Sequence, residues 1–204
     1  MKNKNVIVFA GDSTTDAEKL STYDKLGNGY VRLVRNYLLA FRPEKWYEVV
    51  NAGVSGNTSR DLLARWEQDV AGCNPDIIFC LIGINDVWRH FDGNSGWDNL
   101  VDEGEFEENM RKICARMQEK QAYVMSPFYL ERNRTDEMRV MTERYAQIAK
   151  KVAAEYGIEY IDTQACFDKF MESLPGQFIS WDRVHPCEVG SMILARAALE
   201  QILK

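Results

Sequence analysis

Apolar residues gather in five short runs along the chain, at residues 6–10, 47–51, 76–82, 122–126 and 159–162. Each run has the length of a β-strand. The runs at 6–10 and 77–82 are near-continuous rather than alternating, the pattern of strands covered on both faces. Between the runs, apolar residues recur at helical spacing. Tyr30, Val34, Tyr37, Leu38 and Phe41 make one stripe, and Leu62, Leu63, Trp66 and Val70 make the next. Phe106, Met110, Ile113 and Met117 give a third, and Met138, Met141, Tyr145, Ile148 and Val152 a fourth. Val189, Met192, Ile193, Leu199 and Leu203 close the chain. All five stripes are expected to face the core.

Strand and helix alternate throughout, which predicts a parallel sheet with helices on both faces. The expected class is α/β: a three-layer α/β/α sandwich on a flavodoxin-like five-stranded parallel sheet. Repeats and linkers are absent, so residues 1–204 read as one domain. Two stretches, 87–101 and 127–135, lack helical periodicity, and long loops in compact domains tend to be functional.

Composition changes this picture only at its edges. A net charge of −6 argues against a nucleic-acid partner, since phosphates call for a dense basic face. The N-terminal apolar run at 6–10 is too short for a secretory segment of about 7–15 residues. No run approaches the ~20 apolar residues of a membrane helix. Cys73, Cys80, Cys114, Cys166 and Cys187 show no CxxC spacing, which reads as reduced thiols used in packing. The expectation is a soluble, cytoplasmic protein without membrane insertion; its oligomeric state is left open.

In an open parallel sheet, ligands collect beyond the carboxyl ends of the strands. The polar blocks at those places are "GDSTTD" (11–16), "NAGVSGNTS" (51–59), "GIND" (83–86) and, after the last strand and a short helix, "DRVH" (182–185). They supply a hydroxyl, glycine-rich backbone, a carboxamide and a carboxylate–imidazole pair, which together suit acyl transfer through a serine. A serine hydroxyl needs a base poised near neutral pH, and His185 is suited to that. Asp182, three residues earlier, can hold the imidazole's tautomer. Backbone N–H groups of Ser13 and Gly53 and the side-chain amide of Asn85 are the candidate donors to an oxyanion.

In order and spacing, "GDSTTD", "NAGVSGNTS", "GIND" and "DRVHP" resemble the SGNH hydrolase superfamily, the GDSL-type esterases and lipases, over nearly the whole chain. The resemblance implies Ser13 as nucleophile, His185 as base and Asp182 as its partner, with Ser13, Gly53 and Asn85 forming the oxyanion hole. It also implies no cofactor and no metal. Thr14 stands where the name-giving pattern has leucine, leaving the serine in place.

Plainer roles compete for the same residues. Ser13, Asp12 or Thr14 suits a helix cap. Asp12 reads as a structural hydrogen-bonding residue or, with Trp88 and Trp181, as cleft lining. His90 reads as loop packing. Trp97, Phe128 and Tyr129 also flank the motifs, and aromatic walls suit sugar rings and aryl groups. The expected function is a serine esterase that hydrolyses small acyl esters through an acyl-enzyme, with a carbohydrate O-acetylesterase favoured. Lysophospholipase or thioesterase activity on the same fold is the near alternative. A phosphate-ligand-binding protein is the alternative from another class, since "GDSTTD" would open a helix N-terminus that suits anions. The chain lacks a P-loop lysine and GxGxxG for it, and it has no GxSxG elbow either.

Overall fold

The computed structural model describes residues 5–93, 96 and 100–204. Its strands are β1 (Asn5–Gly11), β2 (Tyr47–Gly53), β3 (Ile77–Leu81), β4 (Gln121–Met125) and β5 (Glu159–Ile161). They form a five-stranded sheet in the order β2-β1-β3-β4-β5, with every pairing parallel. This is the flavodoxin-like arrangement expected, and each strand begins and ends within two residues of an apolar run.

The near-continuous runs have a simple cause. Val8 and Ala10 of β1 enter one core, while Ile7 and Phe9 enter the other. Ile78 and Cys80 of β3 divide from Ile77, Phe79 and Leu81 in the same way. Both faces are dry, so period-2 alternation disappears. Register places Phe9, Phe79 and Tyr123 side by side. Their rings stack at centroid distances of 4.9 and 4.6 Å, and Tyr30 meets Phe9 edge-on at 5.4 Å. Such pairs add roughly 0.5–1.5 kcal/mol each beyond the area they bury.

The helices are α1 (Ser13–Asp16), α2 (Tyr30–Phe41), α3 (Ser59–Ala64), α4 (Trp66–Asp69), α5 (Ile84–Trp88), α6 (Glu103–Met117), α7 (Glu137–Glu155), α8 (Thr163–Met171) and α9 (Glu188–Ile202). Helices α2, α8 and α9 cover the Phe9 face, and α3, α4, α6 and α7 cover the Val8 face. Among the described residues no helix is long and apolar enough to cross a membrane.

Two helical stripes differ from expectation. Val189 and Met192 are 51% and 56% exposed, because α9 buries Gly190, Ser191, Leu194, Ala195, Ala197 and Ala198 instead. That face is built from small residues for close approach; a Cβ at Gly190 would lie 2.7 Å from Cβ of Pro186. Phe41 is also exposed, and its ring lies against that of Tyr37 at the rim of α2, with centroids 4.8 Å apart. Of the two aperiodic stretches, 87–101 begins inside α5, while 127–135 contains no helix.

The sheet order reverses at β1, with β2 on one side and β3 on the other. Gly11 is in register with both Gly53 and Leu81, so the three strands end level. The segments that leave them open onto one crevice, the ligand site of a doubly wound sheet.

Candidate active site

Asp12 follows β1 directly. Its carboxylate accepts the Thr14 N–H at 3.0 Å and so caps α1, which makes Ser13 the first helical residue. The Ser13 Oγ lies 2.8 Å from Nε2 of His185, 172 positions away in the chain. Asp182 Oδ2 lies 2.5 Å from Nδ1 of the same ring. The other carboxylate oxygen accepts the N–H of Val184 at 2.9 Å, the N–H of His185 at 2.8 Å and the hydroxyl of Ser180 at 3.0 Å. Arg183 takes a left-handed φ of 68°, and the chain doubles back to set the imidazole beside its own carboxylate.

Burial pushes the Asp182 carboxyl up, but the His185 side chain and the N–H groups of His185 and Val184 outweigh it and hold the carboxyl below its usual range. Asp182 is therefore an anion at neutral pH. An anion at Nδ1 keeps the ring proton there and leaves the Nε2 lone pair facing Ser13.

The loop at 127–135 supports this turn from outside. The Leu130 N–H donates to the Arg183 carbonyl at 2.8 Å. The Arg183 guanidinium donates to Glu131 at 2.8 Å and lies 5.2 Å from the Tyr129 ring centroid. On the other flank, the Trp88 and His185 rings are 5.7 Å apart.

Asn85 sits in the first turn of α5. One N–H of its amide donates to the Asn57 carbonyl at 2.9 Å, which leaves a second N–H, and the residue lines the cleft. Gly53 is placed differently from expectation. Its N–H donates to Asn51 Oδ1 at 2.9 Å, and it is not among the residues lining the cleft. It has to be glycine for packing, since a Cβ there would lie 2.2 Å from the Asp16 nitrogen. The second glycine of the same motif fits the donor role instead. Gly56 lines the cleft, has φ +82°, and its N–H meets no backbone acceptor among the described residues.

Asp12 is 1% exposed and caps α1 rather than lining the cleft. Burial, partly offset by the Thr14 hydrogen bonds and the His185 charge, pushes its carboxyl up to about 6. His90 bonds the Val101 carbonyl through Nε2 at 3.2 Å, as a loop-packing residue would. Trp97 lies outside the described residues. Two supports were not among the sequence candidates. Arg65 donates to the carbonyls of Gly11 at 2.9 Å and Ala52 at 2.8 Å and to Asn57 Oδ1 at 2.6 Å, pinning two strand ends and the turn between them. Buried Asp86 accepts the Ser59 N–H through both oxygens, at 3.0 and 2.9 Å, and the Ser59 hydroxyl at 2.5 Å. Burial raises its carboxyl to about 7.

The cleft measures about 800 Å³ and is walled by Ser13, Gly56, Asn85, Trp88, Trp181 and His185. Trp181 is 86% exposed at its mouth. Cys187, expected in the core, is exposed on its wall. Among the described residues no group of three or more His, Cys, Asp or Glu side chains is placed to hold a metal ion.

The model of the GDSL-like Lipase/Acylhydrolase family matches residues 9–192. An acetylxylan esterase of Geobacillus stearothermophilus is 41% identical over 203 residues, 96% of this chain and 93% of that enzyme. The crystal structure of Axe2, an acetylxylan esterase from the same organism, matches with a TM-score of 0.92 at 40% identity, covering 99% of this chain and 96% of Axe2. Solved catalytic mutants of Axe2 replace a serine, an aspartate or a histidine by alanine. LAE5, an alpha/beta hydrolase enzyme from the metagenome of Lake Arreo, Spain, matches with a TM-score of 0.92 at 36% identity, covering 97% of this chain and 94% of LAE5. The order of the blocks, the flavodoxin-like sheet and these matches lead to one assignment: the chain belongs to the GDSL-like lipase/acylhydrolase family and is a carboxylic ester hydrolase of the SGNH type.

Proposed function

We propose that the protein removes small acyl groups, acetyl foremost, from carbohydrate hydroxyls through an acyl-enzyme at Ser13. The observation that carries this reading is the hydrogen-bonded line from Ser13 Oγ to His185 Nε2 and on to Asp182, at 2.8 and 2.5 Å. Ser13 attacks the ester carbonyl while His185 Nε2 takes its proton. The tetrahedral oxyanion is received by the N–H groups of Ser13 and Gly56 and the free N–H of the Asn85 amide, each such donor being worth roughly 2.7–4 kcal/mol in the transition state. The first residue of a helix has no intrahelical acceptor for its N–H, so that of Ser13 is available. Collapse expels the sugar alkoxide, which takes the proton from His185. Water, deprotonated by the same nitrogen, then releases acetate and restores Ser13. Asp182 steadies the imidazolium in both halves.

The substrate class rests on two supports. The cleft is open and joins indole walls at Trp88 and Trp181 to polar groups at Glu18, Asn28 and Arg89, a lining suited to a sugar ring. The similar enzyme Axe2 is an acetylxylan esterase. The five cysteines, none in a disulfide, fit a reducing compartment, and the proposed setting is the cytoplasm.

The test compares p-nitrophenyl acetate, p-nitrophenyl octanoate and acetylated xylo-oligosaccharide, without added metal, for wild type and Ser13→Ala. The substitution is expected to cut kcat by roughly 10⁴–10⁶. Turnover that survives in Ser13→Ala would overturn the serine mechanism. A preference for octanoate would move the substrate to lipids.

A further inference from the structure

Among the described residues, the side chain that hydrogen-bonds the turn carrying Gly56 to the helix carrying Ser13 is that of Asp16. Asp16 closes α1, three residues after Ser13. Its Oδ2 accepts the Ser55 N–H at 3.2 Å and the Ser55 hydroxyl at 2.5 Å. Its Oδ1 accepts the Lys19 N–H at 3.2 Å. Ser55 contributes the carbonyl half of the peptide whose N–H belongs to Gly56. A grip on Ser55 therefore sets the tilt of that peptide.

Other ties of the turn lie to either side, among them the Arg65 bond to Asn57 Oδ1 at 2.6 Å. The Val54 N–H donates to the Gly11 carbonyl at 3.0 Å, the Asn57 carbonyl accepts from Asn85 at 2.9 Å, and Arg89 reaches the Gly56 carbonyl at 3.4 Å. None of them joins the turn to α1. Ser55 is exposed and Asp16 is half-buried, so the clamp holds no core together; surface contacts of this kind add little to stability. Lys19 donates to the Gly53 carbonyl beside it, which sets a cation next to the carboxylate at the edge of the site.

We infer that Asp16 is a positioning residue for the esterase reaction: one carboxylate, built into the nucleophile's own helix, fixes the oxyanion-binding turn at a set distance from Ser13. This rests on the reading of Ser13 as nucleophile and Gly56 as oxyanion donor given above. A displacement of about 1 Å in such a site can cost on the order of 100-fold in rate. Asp16 itself does not line the cleft, so the loss is expected in kcat rather than KM.

The experiment uses the full chain with Asp16→Ala, Asp16→Asn, Ser55→Ala and the double variant Asp16→Ala/Ser55→Ala, beside Ser13→Ala. Active sites are counted by end-point labelling with a serine-directed phosphonate, and p-nitrophenyl acetate turnover is expressed per labelled site. Asp16→Ala is expected to lower kcat by roughly 10–100-fold with KM within about twofold. The inhibition constant of phenylboronic acid, whose tetrahedral adduct uses the same donors, is expected to rise by the same factor. Asp16→Asn is expected to recover much of the rate, because its amide oxygen still accepts from Ser55. The double variant is expected to be no slower than Asp16→Ala alone, since both remove one clamp. A kcat per labelled site within about threefold of wild type in Asp16→Ala overturns the inference, as does a loss confined to melting temperature or to the labelled fraction. If Ser13→Ala is dead while Asp16→Ala is unimpaired, the clamp fails and the serine mechanism stands. If Ser13→Ala remains active, the mechanism itself falls.

Discussion

Replacing Asp182 by asparagine separates its two jobs. One carboxylate oxygen accepts three donors from Ser180, Val184 and His185 and shapes the turn; the other faces Nδ1 of His185 at 2.5 Å. In Asp182→Asn the amide oxygen takes the place with three donors, and the NH₂ falls opposite Nδ1. Two donors cannot face each other, so the ring proton moves to Nε2. Nε2 then donates to Ser13 Oγ instead of accepting from it, and the base is disabled with the turn intact. Asparagine at this position of a catalytic triad costs about 10⁴ in kcat, or roughly 5.5 kcal/mol of barrier at 1.36 per tenfold. Asp182→Ala removes the three turn bonds as well, at about 0.5–1.5 kcal/mol each, and so costs roughly 2–4 kcal/mol of stability. At about 2–4 °C per kcal/mol for a chain of this size, its melting temperature falls by about 5–15 °C. The assay is p-nitrophenyl acetate turnover alongside thermal melting. Asp182→Asn is expected to lose rate but not stability, and Asp182→Ala to lose both. An Asp182→Asn variant within about tenfold of wild-type kcat would refute the tautomer argument.

Gly53→Ala is expected to damage folding rather than chemistry, because its Cβ would lie 2.2 Å from the Asp16 nitrogen and 2.7 Å from the Thr15 carbonyl carbon; soluble protein that melts within about 2 °C of wild type would contradict this. Asp86 and Asp12 have carboxyls raised by burial from 3.8 to about 7 and about 6, so between those limits the folded state binds more protons than the unfolded chain. Their contribution to stability is complete below the unfolded value and is lost as pH rises through 6 to 7. Asp182 and Glu131, both held below their usual range, act oppositely, and only as pH falls through the lower carboxylate range. The urea midpoint is therefore expected to be higher near pH ~5 than near pH ~8, and Asp86→Asn is expected to flatten that slope; a midpoint that climbs over the same interval would refute the assignment.

What the sequence revealed, and what it hid, follows from how far each contact reaches. The Asp182–His185 pair was legible because its partners lie three positions apart and one turn makes the contact. The place of Ser13 beside His185 was legible because strand ends of an open sheet converge whatever the loops do. Core-facing residues were legible where they are large, and failed in α9, whose buried face is mostly alanine and glycine. Gly53 and Gly56 stand in the same motif, and nothing local tells which N–H stays free. That was decided by Asn51, whose side chain takes the Gly53 N–H while it donates to the carbonyls of Thr15 at 2.6 Å and Leu26 at 2.8 Å. The same holds for the supports whose partners lie far apart in the chain. Asp16 meets Ser55 across 39 positions, Asp86 meets Ser59 across 27, and Arg65 meets Gly11 across 54. A reacting group is recognisable by type, because the chemistry of acyl transfer restricts it to a few side chains. A positioning group is restricted only by where the fold brings its partner, so many residue types could serve and none stands out in the sequence.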